Sequence, residues 1–123
     1  MSNPKSSSQP AQISQPAIPE LVSDLRVDSR FTPVIATFLA EFPVLMDRVN
    51  VAAKQNDLPG IKTAAHKLKG ASGSAGFARL FDLSAQVEDH ATHNRLEAAL
   101  PLIDDLDRIC RLATPMAAPA INP

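Results

Sequence analysis

Within the stretch "AAHKLKGASGSAG", residues Ala64 to Gly76, one histidine, a cluster of lysines and three regularly spaced glycines fall together. Imidazole is a nitrogen nucleophile that is largely neutral near pH 7, an ammonium group offsets the charge of anionic oxygens, and glycine leaves room for a second surface to approach. His66, Lys67, Lys69 and Gly70 lie within five positions, with Lys62 one turn earlier and Gly73 and Gly76 following. No acid occurs from Leu58 to Phe81, whereas Lys62, Lys67, Lys69 and Arg79 do, so the span is locally basic in a chain of net charge −1. An accessible ring nitrogen among cations suits a group that receives a dianionic phosphoryl moiety, or a face that docks against an acidic pocket.

The spacing predicts a helix here. Advancing about 100° per residue from Ala64 puts Ile61, Ala64, Ala65, Leu68 and Ser72 within one arc of about 100°, which is the face expected to be buried. His66 then falls at about 200°, flanked by Lys62 and Lys69 on one side and Gly70 on the other, so the ring faces water. A glycine inside a helix costs about 1 kcal/mol against alanine, which makes the bareness of Gly70 beside the imidazole a feature to explain. Close helix packing at Gly70, Gly73 and Gly76 is the competing explanation.

The elements that must carry this strip follow from the same periodicity. Phe31, Ile35, Phe38, Phe42, Leu45, Val49 and Ala52 form one continuous stripe, opened by Thr32-Pro33 or Asp28 and kinked by Pro43. Asp57 offers a cap for the histidine helix, with Pro59 in the following turn. After a turn near Gly76, Phe77, Leu80, Ser84, Val87 and Ala91 define the next inward face. Asn94 is expected to cap the last helix, whose stripe is Leu96, Leu100, Ile103, Leu106, Cys110 and Ala113, with Pro101 bending it or delaying its start. A short helix through "PELVSDL" precedes these. No strand-like alternation appears, and short connections force antiparallel neighbours, so the expected fold is all-α: an up-down antiparallel four-helix bundle with a short extra N-terminal helix.

Seven of the 11 prolines lie in the two ends, so residues 1–18 and 114–123 are expected to be disordered tails around a bundle at 19–113. At 123 residues the chain has room for one core. No stretch is apolar enough to span a bilayer, and the N-terminus does not read as a leader, so a cytoplasmic location is expected. The near-neutral charge gives no steering toward nucleic acid or membrane. Cys110, the one cysteine, reads as a small core residue.

If the histidine helix and the next one form a hairpin turning near residue 77, residues whose numbers sum to about 154 lie level. Glu88 is then level with His66, at the edge of the inward face that Val87 marks. A carboxylate accepting one ring N–H would set the tautomer and leave the other nitrogen open. A purely solvated Glu88 is the alternative. His90, His93 and Asp89 share a helix end, but they read as surface polar groups, and no metal site is expected.

The run "AAHKLKGASGSAGFARLFDLSAQVED" resembles the signature of histidine-containing phosphotransfer (HPt) domains of two-component phosphorelays, with alanine-histidine, then leucine-lysine-glycine, a later glycine, and an acid about 22 residues past the histidine. Val87 stands where many members have leucine before that acid, and Phe77 where small residues are common. The resemblance implies that His66 is the phosphoacceptor, Lys69 a cation near the phosphoryl oxygens, Gly70 the clearance for a receiver domain, and Glu88 the ring's hydrogen-bond partner. Lys62, Lys67, Gly70 and Gly73 would belong to the docking face. The implied partners are a response-regulator receiver domain or a hybrid sensor kinase, with Mg²⁺ supplied by the receiver and no cofactor of the chain's own. A monomeric carrier is expected, neither kinase nor ATPase, since no phosphate-binding glycine loop is present. A non-catalytic helical adaptor that binds an acidic protein through the basic strip is the other reading; it predicts that His66→Gln leaves partner function intact.

Overall fold

The computed structural model describes residues 21–117, with side chains as far as Ala113. Four helices follow one another: α1 Thr32–Lys54, α2 Leu58–Ser74, α3 Ala78–Thr92 and α4 Leu96–Ala117. Each packs on its two neighbours in a ring, α1 on α2 and α4 and α3 on α2 and α4, with α2 and α3 the most extensive pair. This is an all-helical up-down bundle, without a strand among the described residues. The expected tail at 1–18 lies outside the described residues, as do residues 118–123 of the one expected at 114–123, whose first four residues continue α4.

The three connections, residues 55–57, 75–77 and 93–95, close in the same way. A residue of positive φ follows each helix: Asn56 at 53°, Gly76 at 83° and Asn94 at 58°. Its N–H and that of the next residue turn back onto the helix's last carbonyls: Asn56 to Ala53 (3.0 Å) and Asp57 to Ala52 (2.9 Å), Gly76 to Gly73 (3.1 Å) and Phe77 to Ser72 (2.9 Å), Asn94 to Ala91 (3.3 Å) and Arg95 to His90 (2.8 Å). Paired bonds of this kind, around a left-handed residue just past the helix, form a Schellman motif, which glycine and asparagine tolerate best. Asn94 therefore closes α3 rather than capping α4. The start of α2 is as expected, with Asp57 Oδ1 accepting from the Gly60 N–H at 3.0 Å.

The core face of α2 consists of the five residues read from its period: Ile61, Ala64, Ala65, Leu68 and Ser72. Elsewhere the buried face is wider than the stripe. Met46, Leu83, Ala99 and Ile109 are buried in addition, whereas Phe31 and Leu100 are exposed. A helix facing two neighbours buries more than one line of residues, so positions beside the stripe enter the core. Phe31 precedes α1 and lies outside its packing surface. α1 runs unbroken through Pro43. α4 begins at Leu96, so Pro101 lies within it and does not delay its start.

Of the short helix expected over residues 19–25, residues 19 and 20 lie outside the described residues, and the rest is not α-helical. The segment forms two 3₁₀ turns, Asp24–Val27 and Ser29–Phe31, separated by Asp28 in extended conformation. Tertiary bonds account for this: Ser23 Oγ donates to the Ala75 carbonyl at 2.6 Å, and the Asp24 N–H donates to the Gly76 carbonyl at 2.8 Å. The Asp24 N–H that a continuing helix would use, and the Ser23 hydroxyl beside it, are thus committed to the α2–α3 connection. A Cβ on Gly76 would lie 2.8 Å from Leu25 Cγ and from Ser23 Oγ, so the segment packs where only glycine leaves space.

Candidate functional site

α2 and α3 place the site between them. Ala65 and Leu68 are fully buried on either side of His66, so they lock the rotation of α2 and turn the intervening residue outward. Val87 and Ala91 do the same for α3 and leave Glu88 at the seam. Because the connection is only three residues, the two helices stay in register, and His66 and Glu88 meet.

His66 Nδ1 lies 2.9 Å from Glu88 Oε2, while the other carboxylate oxygen, Oε1, lies 2.7 Å from Lys69 Nζ. The histidine side chain is 66% exposed, against 18% for Glu88 and 27% for Lys69. The hydrogen bond from Lys69 holds the Glu88 carboxyl below its ordinary pKa; burial opposes this, and the His66 contact adds to it. Glu88 is therefore ionised at neutral pH and can only accept, so in the neutral ring Nδ1 carries the proton and Nε2 the lone pair. The more exposed partner thus presents a nucleophilic nitrogen to solvent.

The depressed carboxyl pKa has a signed consequence. A folded-state value below the unfolded one stabilises the fold at pH above the unfolded carboxylate value, and that contribution is lost as pH falls through the folded value. Replacing Lys69 with Gln is expected to raise the Glu88 carboxyl titration midpoint toward the ordinary range, read from its ¹³C NMR shift against pH. A midpoint that stays depressed in the variant would show that Lys69 is not what lowers it.

The glycines divide. A Cβ on Gly70 meets nothing within 4 Å, whereas one on Gly73 would lie 2.9 Å from the ring of Phe81. Gly70 is a clear approach beside His66. Gly73, expected on the docking face, is exposed and is also a close packing point for α3, with Phe81 40% exposed over it. Lys62 and Lys67 are exposed and line one groove with Thr63, His66 and Glu88. Thr63 was missed by the sequence reading, although its spacing of three from His66 puts it on the neighbouring turn.

The second histidine cluster closes a helix. Arg95 Nε donates to His90 Nδ1 at 2.9 Å and its Nη2 to Asp89 Oδ2 at 2.9 Å, while His93 Nδ1 lies 2.8 Å from the Asp89 carbonyl. Among the described residues no group of three or more ligating side chains is placed to hold a metal ion, and no helix is long and apolar enough to cross a membrane.

A family model described as "Hpt domain" matches residues 33–114, more than half of the chain. The chain belongs to the Hpt domain family, whose members are helical bundles that carry phosphoryl groups in two-component phosphorelays and are not kinases. No curated protein and no solved structure matches it.

Proposed function

We propose that the chain is a phosphorelay carrier in which His66 accepts a phosphoryl group from the phospho-aspartate of a receiver domain and passes it to another. The observation that carries this reading is the 2.9 Å contact between His66 Nδ1 and Glu88 beneath a ring that is 66% exposed. The neutral ring's Nε2 lone pair attacks phosphorus in line. An N–P bond forms as the P–O bond of the acyl phosphate breaks, and the aspartate carboxylate leaves with that electron pair. The Nδ1 proton stays on the ring, where the Glu88 carboxylate offsets the positive charge the phosphorylated imidazole gains. The step rests on positioning and charge, with Mg²⁺ belonging to the receiver. The chain has no kinase or ATPase activity of its own in this reading, works in the cytoplasm, and meets a response regulator or hybrid sensor kinase in short-lived encounters.

The test is incubation with a phosphorylated receiver domain, followed by a search for acid-labile, base-stable label on the chain. Absence of such label with every receiver of its own genome would sink the proposal. The open face at Gly70 gives a second measurement. Gly70→Gln is expected to keep or raise helicity, since it removes a helix-interior glycine, yet to slow transfer by on the order of tenfold to a hundredfold by holding the donor away from Nε2. Unchanged transfer would mean that the bare turn does not serve docking.

A further inference from the structure

Resting on the carrier reading, the question left open is which side chains hold the phosphoryl oxygens once they reach His66. Lys69 is the cation that the family resemblance implies, but its ammonium is already 2.7 Å from Glu88 Oε1, and the two charges cancel. The unpaired charge lies elsewhere. Among the described residues neither Lys62 nor Lys67 is ion-paired, and both line the groove that contains the imidazole, together with Thr63 and Glu88. Helix geometry agrees, because a side chain leans toward the N-terminus and covers the turn before its own Cα. On that geometry the His66 ring leans toward Lys62 and Thr63, which line the groove with it.

We propose that Lys62, Thr63 and Lys67 form the phosphoryl-oxygen cradle of this chain, the two ammonium groups and the hydroxyl donating to the tetrahedral dianion on Nε2. Two ammonium groups and one hydroxyl offer at least one donor to each of the three phosphoryl oxygens, and the groove is open to solvent. Lys69 then acts on the carboxylate, and the division leaves Glu88 ionised while the phosphoryl group is bound.

The test separates the cradle from protein docking by using a small donor, phosphoramidate, whose P–N bond breaks with loss of ammonia as the Nε2–P bond forms. Phosphohistidine on the full chain is followed by ³¹P NMR. Lys62→Gln is expected to lower the initial rate about threefold and Lys62→Gln with Lys67→Gln about tenfold, Thr63→Val is expected to slow it as well, and the double arginine variant is expected to retain most of the wild-type rate. Arg111→Gln makes the same charge change on α4, which packs mainly on α1 and α3, and is expected to react like the wild type. Wild-type rates in the double glutamine variant, or an equal slowing by Arg111→Gln, would overturn the cradle. Failure of the carrier reading looks different: His66 is then labelled by phosphoramidate, faster with the cradle than without it, and by no phosphorylated receiver.

Discussion

His66→Gln is expected to reduce phosphoryl acceptance to background while leaving the bundle folded. The amide nitrogen of glutamine has its lone pair delocalised into the carbonyl, so it offers no nucleophile where Nε2 stood. The structural cost is small because the side chain is 66% exposed and contributes one hydrogen bond to Glu88, a loss of about 1 kcal/mol. Circular dichroism and the urea midpoint therefore report a nearly native protein, and labelling by a phosphorylated receiver reports none of the wild-type signal. Partner binding separates this from the adaptor reading: a receiver captured equally by wild type and variant, with label on the wild type alone, identifies chemistry at the imidazole. Label persisting on the variant would place the acceptor elsewhere.

Phe77→Ala is expected to cost about 3–5 kcal/mol, a large share of the roughly 5–15 kcal/mol that holds a domain of this size. Phe77 is 1% exposed, its ring centroid lies 5.0 Å from that of Phe38, and Phe38 in turn stacks on Phe42 at 5.3 Å. The same residue donates its N–H to the Ser72 carbonyl in closing α2 and accepts from the Phe81 N–H in opening α3. Truncation thus empties the core at the turn that sets the register between His66 and Glu88. Equilibrium urea unfolding measures the loss, and Phe77→Leu, which keeps most of the apolar volume, is expected to retain most of the stability. A loss below about 1 kcal/mol for the alanine variant would mean that this end of the core collapses around the gap. Phe38 packs against the aromatic ring of Phe77, so this large residue fills the core at the α2–α3 connection.

Periodicity made α2 legible to the residue. Ile61, Ala64, Ala65, Leu68 and Ser72 are its buried face, and a face of small and aliphatic residues on one helix admits a single rotation. Glu88 follows from the turn expected near residue 77 and from its place beside Val87 at the edge of the inward face, since a short connection keeps antiparallel helices in step. The other three helices are legible less completely: Met46, Leu83, Ala99 and Ile109 enter the core beside stripes read as single lines, whereas the face read for α2 is an arc of about 100° that covers both of its neighbours. Asn94 reads from sequence as a cap for α4 but closes α3, because the preference for caps and that for left-handed turns favour the same residue type.

The sequence by itself determined the four helices of the bundle and their order, the outward aspect of His66, and the level at which Glu88 sits opposite it. All three depend on local repeat and loop length, which the chain carries residue by residue. Tertiary structure decided what flexible or solvent-facing groups do once helices are packed. Only there does Lys69, with its long mobile stem, settle on Glu88, Gly73 take up the ring of Phe81 while Gly70 stays bare, and the segment from Ser23 to Val27 give up a helix to bind the carbonyls of Ala75 and Gly76. Those choices are made between residues far apart along the chain, through contacts that no local spacing encodes.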